Sequence, residues 1–174
     1  YDVKEVTYDT LIQNKVLTYQ EKYEIVDSYK NQLGETAYVM YRSTRNNEVA
    51  AWKYADTWSA KISRLNEVIV QEENIAYLKI LLPISSGRSW KGNKYNDIES
   101  IRTNGRIDNF VIKDLEKPFG TFDKTFKVEE SDDDNFSYQD VRYSIYADNV
   151  GLVYRINKYI EFCDENDCFG LGLR

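Results

Sequence analysis

The feature that most constrains the fold is a strict alternation of side-chain character along residues 49–62, VAAWKYADTWSAKI. From position 52 onward, every second residue belongs to a largely aromatic and apolar set, and the lysines and small residues between them form a second set. A period of two places the two sets on opposite faces of a β-strand. The pattern therefore predicts a strand, with these residues on one face: Trp52, Tyr54, Asp56, Trp58, Ala60 and Ile62.

The same interpretation extends to most of the chain. Residues 140–147 and 150–157 flank Asp148 and Asn149, which tolerate the positive φ of a two-residue hairpin turn. Residues 37–43, 65–71 and 76–84 are further extended segments. The 15 Tyr and 7 Phe against 2 Pro also favour pleated surfaces. We predict a mainly β fold, a single domain over residues 1–174. It is a single antiparallel, strongly curved sheet or open barrel of about eight to ten strands, with at most one or two short helices.

Residues 11–31, LIQNKVLTYQEKYEIVDSYKN, fit two templates. Leu17, Tyr19 and Tyr23 alternate as they would in a strand, whereas Val16, Tyr19, Tyr23 and Val26 keep the three-and-four spacing of a helix. The β-branched and tyrosine content favours the strand, and the helix stays open as the alternative.

The balance of charged residues argues against some classes of binding partner. The chain carries a formal net charge of -6 and has a pI near 4.9. Nucleic acids and anionic membrane surfaces select clustered Lys and Arg, so we expect neither a nucleic acid nor an anionic membrane surface as a partner. The longest apolar runs, such as residues 80–84, fall far short of the ~20 residues of a membrane-spanning helix, so we expect no membrane span.

Two cysteines, Cys163 and Cys168, have four polar residues between them in the turn-like segment FCDENDCFG. An even count in such a segment favours a disulfide and an oxidising compartment. Two free thiols or a zinc site are the alternatives. Because a structural zinc site needs four Cys or His ligands and the chain has no histidine, zinc is the weakest of the three.

Residues 86–97, SGRSWKGNKYND, superficially resemble a phosphate-binding loop. In that loop a lysine directly follows the second glycine and a Ser or Thr comes next. Here Asn93 separates Gly92 from Lys94, and Tyr95 follows. We therefore predict a structural loop bent at Gly87 and Gly92, with its tryptophan folded back on an apolar surface.

Few residues supply catalytic chemistry. Without histidine, Ser-His-Asp and Cys-His pairs and imidazole metal sites are excluded. A pair of carboxylates in a glycosidase remains the alternative, with Glu21 and Asp56 as the candidates. The acidic run EESDDDN at 129–135 lacks the register of a calcium loop, so we interpret it as a solvated loop between strands. We predict no catalytic residue, no metal site and no cofactor.

The tryptophans and one tyrosine are the candidate ligand contacts. The aromatic face is either core packing or the lining of a site for an apolar molecule. On the second interpretation, the ligand-binding residues are Trp52, Tyr54, Trp58 and Trp90.

Two motifs resemble a known family. A strand ending at Pro83 leads into a Gly-x-x-Trp-x-Gly-Asn loop, and a late hairpin, residues 146–153, reads Tyr-Ala-x-x-Val-Gly-Leu-Val. This pattern resembles uncharacterised secreted proteins and predicted lipoproteins of Bacteroidetes-type bacteria, over about two thirds of the chain. The resemblance implies a curved antiparallel sheet and an extracytoplasmic location: periplasmic, anchored to the outer membrane or secreted. The lipid-bearing cysteine of such proteins would lie upstream of Tyr1.

These observations favour a non-catalytic cell-envelope protein that binds a lipid or other apolar small molecule, or an envelope protein partner. The alternatives are a carboxylate-dependent glycan-acting enzyme and a scaffold module that pairs through a sheet edge.

Overall fold

The computed structural model describes residues 1–7, 15–96 and 109–162, of which 73% lie in β-strands. These ranges contain eleven strands and no helix, hence no helix with the length and apolar character to traverse a bilayer. The strands are β1 (Asp2–Thr7), β2 (Lys15–Lys30), β3 (Thr36–Arg45), β4 (Lys53–Ile62), β5 (Glu67–Glu72), β6 (Ile75–Leu81), β7 (Ser89–Lys91), β8 (Asn109–Phe119), β9 (Phe122–Asp134), β10 (Tyr138–Ala147) and β11 (Gly151–Glu161).

Within each of two sheets, every strand pairs antiparallel with the strands that precede and follow it in the chain. Strands β1 to β6 form the N-terminal sheet, which curls into a half-barrel, and β7 to β11 form the C-terminal sheet. The predicted mainly β fold with a curved antiparallel sheet is confirmed. The strands divide between two sheets, with one main-chain bond from Leu78 N to Gly92 O, 2.8 Å long, reaching from β6 to the segment after β7.

The ambiguous segment forms the longest strand. Its first part, as far as Gln20, pairs with β1, and its second part, from Gln20 to Lys30, pairs with β3. Because both parts gain ladder hydrogen bonds, pairing outweighs the helical spacing that the same residues also keep. Residues 15–30 are therefore a strand, and residues 11–14 of the segment lie outside the described residues.

The late hairpin forms as β10 and β11, with a loop one residue longer than predicted. Ala147 pairs with Gly151, which leaves residues 148–150 as the loop. Asn149 has a φ of 56° and Gly151 a φ of 98°, so the left-handed backbone falls partly on a glycine that carries no steric penalty there. Three-residue loops with positive φ are a common hairpin solution.

The apolar core joins the two sheets. Ile69 and Leu78 of the N-terminal sheet form one cluster with Trp90, Phe110 and residues of the C-terminal sheet. The indole Nε1 of Trp90 donates to the main-chain oxygen of Leu78 at 2.8 Å, and its ring meets Phe110 edge to face. The prediction that this tryptophan folds back on an apolar surface is confirmed, since only 7% of its surface is exposed.

Two further predictions from the sequence concern the acidic run and the cysteine pair. The acidic run was expected to be a loop, but residues 129–134 are the end of β9, so that expectation is wrong. Glu129 forms ion pairs with Lys113 and Lys127, and β10 pairs with every residue of the run in β9 except Glu130, which lies at a bulge. These contacts offset the low strand preference of acidic residues. Cys163 and Cys168 lie outside the described residues.

Candidate functional site

The candidate site is a groove of about 620 Å³ on one face of the N-terminal half-barrel. It lies between the β2–β3 hairpin and the β4–β5 hairpin, and its volume is within the ~300–1,000 Å³ of small-molecule sites. Its lining comprises Tyr29, Asn31, Leu33, Glu35, Ala37, Ser59, Lys61, Ser63, Arg64, Leu65, Glu67, Ile69, Gln71, Ala76 and Tyr95.

The register of β3, β4 and β5 determines which side chains form the floor of the groove. Ala37 pairs with Lys61, and Lys61 with Ile69, so the three side chains form a row across β3, β4 and β5. Ser59 and Ala76 lie in the next row, because both pair with the same β5 residue. Three of these five side chains are small. Because short side chains meet at neighbouring positions on successive strands, the curled sheet leaves open space above them.

One wall is held by the carboxylate of Glu35, at the turn between β2 and β3. It accepts hydrogen bonds from Lys61 Nζ at 2.8 Å, Asn31 Nδ2 at 2.9 Å and the main-chain N of Arg64 at 3.1 Å. These three donors, with Lys61 contributing most, lower the pKa of Glu35 to about 2. The carboxylate is therefore ionised at neutral pH and already neutralised within the protein.

The opposite wall is held by Glu67, the first residue of β5. Its side chain is 4% exposed and accepts hydrogen bonds from Lys94 and Tyr95 of the loop after β7, and from Ser63 Oγ at 3.3 Å. Burial by itself raises the pKa of Glu67, but the bonds from Lys94 and Tyr95 outweigh burial, so the pKa lies below its usual value. The loop that superficially resembles a phosphate loop thus closes one side of the groove.

The charged groups of the groove are largely satisfied by one another. Glu35 pairs with Lys61, Glu67 with Lys94, and Arg64 Nη2 donates to a main-chain oxygen at 2.6 Å. A ligand therefore meets mainly aliphatic and aromatic carbon, with small hydroxyl and amide groups, rather than an unpaired charge. Such a surface suits a neutral or apolar molecule.

The four aromatic residues proposed from the sequence do not line this groove, and the structure does not bring them together. Trp90 is core. Trp52 lies just before β4, with the cations of Lys22 and Arg45 at 5.1 and 4.4 Å from its ring centre. Tyr54 is 62% exposed. Trp58 packs against another aromatic ring within the N-terminal sheet.

A β-bulge explains why the predicted aromatic face does not exist as one surface. Asp56 pairs with Arg42, but the next pair on that ladder joins Tyr54 to Ser43, so Ala55 is an extra residue. A bulge shifts the alternation of the side chains beyond it. Tyr54 consequently contacts Thr57, an odd-numbered neighbour, through a hydrogen bond of 2.8 Å. The prediction that Tyr54 and Trp58 share a face is therefore wrong.

The two carboxylates considered for a glycosidase do meet, but around one arginine. Arg42 Nη1 donates to Glu21 at 2.6 Å, and its Nη2 donates to Asp56 at 2.8 Å. Tyr23 also donates to Glu21, at 2.9 Å, and Trp58 lies 5.7 Å from the guanidinium carbon. Hydrogen bonds to Asp56 raise the pKa of Arg42, so the cation between the carboxylates persists. A glycosidase needs that space for the sugar and a protonated carboxyl on one side of it.

The residues that build the groove were missed by sequence reasoning. Glu35, Lys61 and Glu67 are ordinary surface types, and their pairing depends on the register of strands far apart in the chain. A weak signal existed in the small residues Ala37 and Ser59, which interrupt segments otherwise rich in large side chains.

Protein-family models, curated proteins and solved structures each give no match to the chain. The resemblance to secreted proteins and lipoproteins stays a prediction.

Proposed function

We propose that this protein is a non-catalytic binding protein of the cell envelope that holds an apolar small molecule in the groove of its N-terminal sheet. The observation that carries the proposal is the groove of about 620 Å³, whose charged lining groups are already paired within the protein. Binding an apolar molecule there releases water from carbon surface without stripping any lining ion of its partner.

The alternative function, a carboxylate-dependent glycan-acting enzyme, has less support in the structure. Its two candidate carboxylates, Glu21 and Asp56, are both bound by Arg42. A general acid must be held protonated by a desolvated environment, and an adjacent guanidinium opposes that. We therefore assign the cluster around Arg42 a structural role within the N-terminal sheet.

The scaffold alternative has one observation in its favour and two against it. Among the described residues, the edge of β2 that faces away from β3 has no partner strand along residues 22–30. However, Val26 forms a bulge in that stretch, and Lys22 and Lys30 stand at its two ends. Bulges and lysines are the features by which natural sheets prevent edge pairing.

An envelope location forms part of the proposal and is supported by the two sequence motifs and by the close pair of cysteines. The test is fractionation of cells that express the full-length protein. Recovery in the periplasmic, outer-membrane or secreted fraction is expected, and recovery with the cytosol would contradict this part.

The binding proposal is tested with cis-parinaric acid, a fluorescent fatty acid whose emission rises in an apolar site. Ser59 lies in the floor of the groove, so Ser59→Trp fills it with a residue that strands accept readily. Ser28→Trp, at an exposed position of β2 outside the groove, is the matched control. We expect saturable binding by the wild type and the control, and at least tenfold weaker binding by Ser59→Trp.

Two outcomes would contradict the proposal. The first is the absence of saturable binding by the wild type, together with no small molecule in native mass spectra of the protein purified from its own envelope fraction. The second is equal affinity in the folded Ser59→Trp variant, which would place the bound probe elsewhere.

A further inference from the structure

The two hairpins that border the groove end side by side. Their tips, here called the hairpin tips, are residues 31–35 between β2 and β3 and residues 63–66 between β4 and β5. Arg64 of the second tip donates through Nη2 to the main-chain oxygen of Leu33 at 2.6 Å, and its main-chain N donates to Glu35 at 3.1 Å. The two tips therefore form one surface.

That surface exposes large apolar side chains. Leu33 is 63% exposed and Leu65 is 68% exposed, one at each tip. Ile62 and Tyr29, on the strands that lead into the tips, are also more than half exposed. Scattered exposed leucines are ordinary, but two on bonded neighbouring turns at the border of an apolar groove form a patch of the kind that marks an interaction site.

The exposed charge of the hairpin tips is positive, in contrast to the chain as a whole. Arg64 within the tips and Lys30 just before the first tip are exposed, whereas Glu35 in the first tip and Glu67 just after the second have side chains only 7% and 4% exposed. Both acids are also paired with lysines. Residues 30–35 and 63–67 thus combine leucines and exposed cations without an exposed acid. Such a combination complements the phosphate and upper acyl layer of a phospholipid surface.

We propose that the hairpin tips dock on a phospholipid surface and that the apolar ligand enters the groove from that surface. Leu33 and Leu65 belong to the lining of the groove as well as to the exposed tips, so they connect the two. The entry step rests on the proposed function, whereas the docking step stands on the tips alone.

Docking is tested by sedimentation with phosphatidylcholine vesicles, prepared with and without phosphatidylglycerol. We expect the wild type to sediment with both and more strongly with the anionic lipid. Leu33→Ser combined with Leu65→Ser should reduce partitioning at least tenfold, since each leucine contributes apolar surface to the contact. Lys30→Gln should weaken binding only to the anionic vesicles, by about fivefold. Val49→Ser, at a 95% exposed position away from the tips, is the matched control.

The groove and tip variants separate the two proposals. Ser59→Trp should lose parinaric acid and keep vesicle binding, whereas Lys30→Gln, outside the lining of the groove, should bind parinaric acid from solution like the wild type but take it up more slowly from loaded anionic vesicles. Failure of the wild type to sediment, or unchanged sedimentation of the double variant, would overturn docking whether or not the groove binds the probe. Self-association that the double variant abolishes, without vesicle binding, would identify a second copy as the occupant and also overturn it.

Discussion

Gly92 offers a sharp test of how the loop is attached to the groove. A Cβ added at this position would lie 2.3 to 2.5 Å from three atoms of the Phe110 ring, distances that real Cβ atoms do not tolerate. The φ of Gly92 is not positive, so alanine meets no backbone penalty there. The variant Gly92→Ala therefore isolates a packing clash at the start of the segment that carries Lys94 and Tyr95 to Glu67.

The magnitude follows from the surroundings of the ring. Phe110 is 3% exposed and held in the core edge to face against Trp90, so it cannot move aside freely. Inserting one carbon into such a site costs ~1–3 kcal/mol, and we expect about 2 kcal/mol of lost unfolding free energy. Gly87→Ala is the matched control: it has open space but a φ of 76°, for which we expect about 1 kcal/mol from backbone strain alone.

The assay is urea unfolding followed by tryptophan fluorescence, together with parinaric acid binding. Gly92→Ala should weaken binding as well as stability, since a displaced loop loosens the wall at Glu67, whereas Gly87→Ala should affect stability only. Adding Phe110→Leu to Gly92→Ala should recover part of the loss. A Gly92→Ala protein within 0.5 kcal/mol of the wild type, on the order of the change at neutral surface sites, would refute the packing argument.

Two further predictions concern the ion pairs. The pKa of Glu35 is lowered from 4.5 to about 2 in the folded state, so its contribution is complete above pH 4.5 and is lost as the pH falls towards 2. Acid titrations of unfolding should show a weaker decline across that window in Glu35→Gln. Arg42→Met leaves two partly buried carboxylates without their cation and should lower the unfolding free energy by about 1–3 kcal/mol, because unpaired charges are costly to bury. Unchanged thermal unfolding of Arg42→Met would show that the cluster contributes nothing.

The strand content was readable from the sequence because alternation is a local property. The period-two pattern from residue 53 to 62 became β4, and the segments around Asn149 became the hairpin of β10 and β11. The burial of Trp90 was also predictable, because a large aromatic ring on a loop is stabilised by packing against the apolar core.

The location of the site was not readable, because it depends on register between strands. A single extra residue, Ala55, places Tyr54 and Trp58 on different faces of the sheet. The amino-acid composition of the segment does not indicate such a bulge. In the same way, Glu67 meets Lys94 only after β5, β6 and the loop beyond β7 have packed. The net charge of -6 gives no information on local sign, and at the hairpin tips Arg64 is exposed whereas Glu35 is mostly buried.

The most direct test of the account is the chemical shift of the methyl groups in the floor of the groove. Methyl spectra of labelled protein should be recorded while cis-parinaric acid is added, with Ala37 and Ile69 as reporters inside the groove and Val49 as an exposed reporter outside it. We expect saturable shifts at Ala37 and Ile69 and none at Val49. Saturable shifts at other methyl groups, with both groove reporters unmoved, would contradict the claim that this groove is the binding site.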